Sequence, residues 1–205
     1  MRGLIGKKIG MTRVFNSEGG AVPVTVLEVG PCRVTQVKNF DSDGYDAVQL
    51  GFIESKKKHT TKPLAGHFSK NNIPPTKILA EFHKVPNFEY KPGQIFNVSI
   101  FNEGDFVSVK GKSKGRGFSG TIKKYSFSTQ RKTHGQGDTH RHVGSIGAAS
   151  DPSRVFPGKK MPGRYGNKNV SVKGLEVIMV NEKENQLIIK GSIPGSPNGI
   201  VYITR

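Results

Sequence analysis

Short runs of β-branched and aromatic residues, each bounded by Gly, Pro, Asn or Asp, recur along the chain and predict strands over residues 22–29, 33–37, 47–53, 94–100 and 106–110. The pattern returns near the C-terminus at 170–180, 187–190 and 200–204, with turn-forming residues at 181–185 and 194–199. One sheet or barrel is therefore expected to draw strands from both ends of the chain. Between two strand runs, residues 39–44 include Asp41, Asp43 and Gly44 and predict a hairpin turn, because Asp and Gly tolerate the left-handed backbone. Over 76–85 the pattern supports either a short helix, from the spacing of Ile78, Leu79 and Phe82, or a strand; Pro86 ends the segment in both cases.

Two stretches break the alternation. Residues 55–75 form a basic insertion, with Lys56, Lys57, Lys58, His59, Lys62 and Lys70 among small residues and Pro74-Pro75. Residues 111–169 hold eleven glycines, few aliphatic side chains and almost no periodicity, so they cannot bury a core of their own. Charge separates this stretch from the rest. Residues 110–173 contain fifteen Lys and Arg against two acids, Asp138 and Asp151, so +13 of the net +17 lies there. A field of that sign attracts polyanions, nucleic acid first. The expected organisation is a β body of residues 1–110 plus 170–205, with the basic insertion at about 55–93, and an extended segment at 111–169.

No apolar run reaches the length of a membrane span. Lys7, Lys8 and Arg13 interrupt any apolar stretch near the N-terminus, so a signal peptide is not expected and the reading is cytoplasmic. The single Cys32 excludes an internal disulfide and a cysteine-based zinc site, and is expected to be a small buried side chain.

Several enzyme-like motifs dissolve on inspection. Gly115-Arg-Gly-Phe-Ser-Gly120 satisfies G-x-G-x-x-G, but a dinucleotide fold needs an acid ending an apolar strand, and Asp138 follows none. Gly111-Lys-Ser113 resembles the end of a phosphate-binding loop, yet Phe106 stands where its first glycine belongs. His134, His140 and His142 have no helix to align them and no nearby thiolate, which matches no common zinc spacing. The Ser and His residues lack a carboxylate at a diagnostic spacing. Glycines that admit a phosphate closely, alternating with Lys and Arg, instead fit RNA backbone binding. Phe118, Tyr125, Phe127, Phe156 and Tyr165 are interleaved with these cations and serve either to stack on bases or to anchor the segment. No catalytic residue, metal, cofactor or small-molecule substrate is expected.

Four blocks in fixed order carry a family resemblance: residues 111–124, Thr133-His-Gly135, Gly144-Ser-Ile-Gly147 and Pro157-Gly-Lys-Lys-Met-Pro-Gly163. With the opening Gly3-Leu-Ile-Gly-Lys-Lys-Ile-Gly-Met-Thr12, the chain resembles the bacterial large-subunit ribosomal protein three, or L-three, family essentially end to end. Ser108 and Lys124 depart from the family's usual Asp or Asn and Arg, without removing the pattern of cations and glycines. Ala148 stands where some members carry a methylated glutamine, so that modification is not expected.

The resemblance implies a mainly β fold: a six-stranded barrel of the translation-factor kind, a basic α/β insertion and a long irregular glycine-rich finger. It implies a structural ribosomal protein of the cytoplasm that binds ribosomal RNA near its 3′ end, helps to begin subunit assembly and reaches toward the peptidyl transferase centre. Neighbouring ribosomal proteins, fourteen and nineteen among them, are implied as partners. By the same resemblance Lys112, Lys114, Arg116, Lys123 and Lys124 grip RNA at the finger's base. Arg131, Lys132, His134, His140, Arg141, Arg154, Lys159, Lys160, Arg164 and Lys168 follow along its arms. The tip comprises Ser145, Ile146, Gly147, Ala148, Ala149 and Ser150.

Overall fold

The structure, a computed structural model, describes residues 3–16, 19–86 and 88–205. Strands β1 (Gly3–Phe15) and β2 (Ala21–Val29) make a long antiparallel hairpin whose register runs from Gly6↔Val29 to Phe15↔Ala21, with a bulge between Lys8 and Gly10. The next hairpin joins β3 (Cys32–Lys38) to β4 (Ala47–Glu54) through the single-turn helix α1 (Phe40–Asp43). Gly44 ends that turn in the left-handed conformation at φ 79°, the role that the Asp/Gly-rich sequence suggested. Helix α2 (Lys62–Ser69) buries Phe68 and leads to β5 (Thr76–His83), then β6 (Ile95–Phe96) and β7 (Phe106–Lys112). Residues 114–168 supply β8 (Phe118–Ser119), helix α3 (Thr121–Tyr125) and β9 (Gly163–Arg164). The chain finishes with β10 (Asn169–Asn181), β11 (Gln186–Lys190) and β12 (Ile200–Thr204).

Six of these strands close an antiparallel barrel in the order β1-β12-β7-β10-β11-β2. Closure removes the exposed edges that an open sheet would leave. Along β7 the burial alternates, with Val107 and Val109 inward and Ser108 and Lys110 outward; on β12 Val201 and Ile203 point in. These meet Leu4, Ile5, Leu27, Leu187 and Ile189 in a core that excludes solvent completely at most positions. The core continues through Val34, Val48, Leu50 and Phe82 into a second, four-stranded sheet ordered β5-β4-β3-β6. Cys32 lies buried in it, with its thiol directed at the Ile5 carbonyl at 3.4 Å.

Two sequence expectations change, one open choice closes and one strand is added. Residues 94–100 are not one strand: β6 is two residues long, and Val98–Ile100 forms a 3-10 turn that buries Val98. Residues 76–85 resolve as a strand, because β5 pairs along β4 from Glu54↔Thr76 to Ala47↔His83. The segments 33–37 and 47–53 belong to the second sheet, not to the barrel. Strand β1, unread in the sequence, is the barrel's longest together with β10.

The chain forms two compact units, one comprising residues up to Ser113 together with Asn169–Arg205, the other Lys114–Lys168. It leaves and re-enters the first unit on adjacent strands, with Lys112 of β7 opposite Asn169 of β10.

Candidate nucleic-acid interface

Within Lys114–Lys168 only Ser119 and Thr121 are buried. Hydrogen bonds and turns hold the segment in place of a core. Phe118 pairs with Arg164 and Ser119 with Gly163, and the ladder continues as the Arg116 amide donates to the Tyr165 carbonyl and the Tyr165 amide to the Gly117 carbonyl, both at 2.9 Å. Ser119 Oγ donates to the Arg116 carbonyl at 3.1 Å. Helix α3 ends where Ser126, at φ 59°, donates its amide to the Ile122 carbonyl. Beyond it the Gln130 amide donates to the His140 carbonyl at 3.0 Å, and His140 Nδ1 lies 3.0 Å from the Arg131 carbonyl. Left-handed backbone at His134 (φ 65°), Gly135 (φ 77°), Gly144 (φ 77°) and Gly158 (φ 82°) turns the chain where the sequence blocks Thr133–Gly135, Gly144–Gly147 and Pro157–Gly163 lie.

The predicted cations face solvent. Lys112 closes β7; Lys114 and Arg116 lead into β8; Lys123 and Lys124 ride on α3; Arg164 is on β9. Arg131, Lys132, His134, Arg141, Arg154, Lys159, Lys160 and Lys168 are exposed in loops, whereas Lys124 and His140 are half-buried. Residues Ser145, Ile146, Gly147, Ala148, Ala149 and Ser150 are all exposed, and Ser145 Oγ donates to the Gly147 carbonyl at 3.0 Å. Twelve Lys and Arg in this unit face only Asp138 and Asp151. Two carboxylates cannot neutralise twelve cations, so the unit keeps a strongly positive field.

Aromatic rings divide into two roles. Tyr125 and Tyr165 are half-buried and hold cations: Lys124 Nζ lies 4.9 Å and Lys160 Nζ 5.7 Å from the Tyr125 ring centre, and the Arg116 guanidinium 5.9 Å from that of Tyr165. Phe118 and Phe156 leave most of their surface in water, at 82% and 58% exposure, and Phe156 also carries a cation, the Arg154 guanidinium 5.7 Å from its ring centre. Arg141 joins Arg116 and Lys123 around a hollow of about 280 Å³ beside Phe118, a convergence that sequence separation concealed. Among the described residues no three His, Cys, Asp or Glu converge as metal ligands, and the G-x-G-x-x-G run holds β8 and ends at Gly120, the N-cap of α3, in place of a βαβ unit.

The profile of the family described as "Ribosomal protein L3" matches residues 84–192, from just after β5 through the whole second unit to just past β11. Over nearly its full length the chain is also 48% identical to "Large ribosomal subunit protein uL3" of Thermotoga maritima, across 203 residues, 99% of this chain and 96% of that protein. The chain belongs to the ribosomal protein L3 family. The L3 relative "Large ribosomal subunit protein uL3c" of Phaeodactylum tricornutum is likewise 48% identical, over 98% of this chain and 97% of its own length. Because these alignments extend well beyond 84–192, L3 membership covers β1 to β4 as well as the basic segment.

One L3 residue of structural importance escaped the sequence reading. Gly166 adopts φ 72°, and a β-carbon there would collide with the Lys114 carbonyl. Glycine at this point lets the two arms of the second unit close against each other. The signal was available in Tyr165-Gly-Asn167, a turn-forming run in which Asn167 also sits at φ 53°.

Proposed function

We propose that this chain is a structural constituent of the large ribosomal subunit that binds ribosomal RNA directly through residues 114–168. The observation that carries the reading is a unit of 55 residues with two buried side chains and twelve exposed or half-exposed Lys and Arg. Such a segment gains its order from a polyanion: cations neutralise phosphates and release counterions, and the cost of ordering the loops is met on binding. Lys112, Lys114, Arg116, Lys123 and Lys124 contact the backbone where the chain enters the segment; Arg131, Lys132, His134, His140, Arg141, Arg154, Lys159, Lys160, Arg164 and Lys168 contact it farther along. Phe118 and Phe156 stack on bases.

Family membership supports the finer reading. The RNA lies near the 3′ end of large-subunit ribosomal RNA, binding helps to nucleate subunit assembly, and the 145–150 turn approaches the peptidyl transferase centre. Proteins fourteen and nineteen of the large subunit are the proposed neighbours, and the ribosome of the cytoplasm is the setting. The role is structural, without catalysis. RNA shape sets the preference, since the major groove of an A-form helix is too narrow for side chains to read.

A competition measurement tests this. The full chain should bind a transcript of the 3′ region of large-subunit ribosomal RNA at least tenfold more tightly than duplex DNA of equal length. Equal affinity for both would replace this reading with general nucleic-acid packaging.

A further inference from the structure

A groove in the first unit is lined only by residues outside 114–168. It occupies about 980 Å³ between the outer face of the barrel and residues 80–84, the end of β5. The strand register sets its floor. Lys110 of β7 stands opposite Ser171 of β10 on one side and Tyr202 of β12 on the other, and Ser108 stands opposite Thr204 in the next row. The inward partners of these residues, Val107, Val109, Val201 and Ile203, fill the core, so the barrel directs hydroxyls and ammonium groups into the groove. Lys173 completes the floor beside Gly174, where a bulge in β10 relieves the pairing.

Charge in the groove is unbalanced. Glu81, its one acid, is held by Lys38 at 2.8 Å and by the Tyr45 hydroxyl at 2.8 Å. Lys84 is paired with Asp46 and Arg205 with Asp105, each at 3.1 Å. The side chains of Lys110 and Lys173 enter no ion pair or hydrogen bond among the described residues. Two uncompensated ammonium groups thus stand among the hydroxyls of Ser108, Ser171, Tyr202 and Thr204. Lys, Ser, Thr and Tyr are the side chains that hold phosphate and sugar oxygens, and a ribose 2′-hydroxyl can both donate to and accept from such hydroxyls.

We infer that the groove between β5 and the outer face of β10, β7 and β12 is a second RNA site that grips a ribose-phosphate strand through Lys110 and Lys173. The inference rests on the ribosomal-RNA reading above but concerns a different surface, and it assigns the barrel itself a share of the binding energy.

The test uses the full chain and the 3′-region transcript. Lys110→Gln with Lys173→Gln should weaken binding on the order of tenfold near 0.1 M salt. It should also make the slope of log affinity against log salt shallower by about 2, one for each phosphate that the variant no longer neutralises. Lys62→Gln with Lys70→Gln, the same charge change on and just after α2, should leave the slope unchanged; an equal weakening there would assign the effect to net charge and overturn the site. A second measurement does not depend on these substitutions. Cys32 is the only cysteine and is buried, so Ser171→Cys can carry an iron chelate that generates hydroxyl radicals. Cleavage of the bound transcript from that position is expected, and its absence overturns the site. Unchanged affinity and slope in the groove variant, with selective binding by the unaltered chain, would remove the groove and leave the RNA reading intact. Failure of the unaltered chain to bind selectively would remove both. Loss of a bound ribosomal protein from the groove variant with RNA affinity unchanged would assign the surface to a protein and overturn the proposal.

Discussion

The ring of Phe82, on β5 of the second sheet, fills the space beside Gly3 on β1 of the barrel where a side chain would otherwise stand. A β-carbon at Gly3 would lie 2.7 Å from Phe82 Cδ1 and 2.5 Å from the Ile203 carbonyl. This contact joins the two sheets into one core. Gly3→Ala should therefore lower stability by about 1–3 kcal/mol through overpacking. Phe82→Ala should cost roughly 3–5 kcal/mol through the cavity it leaves. Urea unfolding of both variants measures this.

Lys8 is a charged residue inside the barrel wall, only 7% exposed, and its ammonium donates to the Ile193 carbonyl at 3.0 Å. Its backbone also clasps the 196–199 turn, as its amide donates to the Gly199 carbonyl and its carbonyl accepts from the Asn198 amide. Lys8→Met keeps the packing volume and the backbone bonds but strands the Ile193 carbonyl. The expected loss is about 1–3 kcal/mol, read as a lower thermal midpoint.

Lys38, Tyr45 and Glu81 form a network on the second sheet. The Lys38 hydrogen bond holds the Glu81 carboxyl below its ordinary value near 4.5, and the Glu81 and Tyr45 bonds push the Lys38 ammonium above its own near 10.5. A lowered carboxyl favours the fold above about pH 4.5, and that contribution fades as pH falls through the folded-state value. A raised ammonium favours the fold below about pH 10.5, and its share fades as pH rises through the folded-state value. Glu81→Gln should flatten both limbs of the stability–pH curve while leaving the barrel intact. Urea midpoints at pH 3, 7 and 11 should show the parent's advantage over the variant largest at pH 7 and smaller on either side.

Gly166 closes the second unit at φ 72° against the Lys114 carbonyl. Gly166→Ala should force the arms apart and displace Arg116 and Arg164 from their ladder positions. Affinity for the ribosomal-RNA transcript should fall severalfold, while urea unfolding of the first unit should be unaltered. An unchanged affinity would mean that RNA binding does not need this closure.

Much of the barrel was legible because β2, β7, β11 and β12 have one face in the core and one outside, which writes alternation into the sequence. Strand β1 was not. From Gly3 to Gly6 every residue is buried, so no alternation exists, and its glycines, there because Phe82 and the Glu28 carbonyl come close, weaken any strand signal. The place of β3 and β4 in a separate sheet was equally hidden, since pairing partners depend on tertiary packing. Residues 94–100 look like a strand because Ile95, Phe96, Val98 and Ile100 are apolar, yet a 3-10 turn serves to bury Val98. The basic segment was the clearest of all, as its charge and glycine content need no partner to be seen. Its internal meetings, Arg141 with Arg116 and Lys160 with Tyr125, depend on turns that single residues do not announce.

If residues 114–168 clamp RNA, the barrel should fold without them and lose most of its affinity. Lys112 and Asn169 are already register partners, so a two-residue Asn-Gly turn can replace 113–168 as a hairpin between β7 and β10. Binding of the full chain and of this variant to the 3′-region transcript would be measured across a salt series. With about ten phosphates neutralised, the full chain should give a log–log slope of roughly −7 to −9. The shortened chain should fold and give a much shallower slope and weaker binding, retaining only the contribution of the barrel groove. Equal slopes and affinities for the two chains would mean that residues 114–168 do not carry the RNA binding.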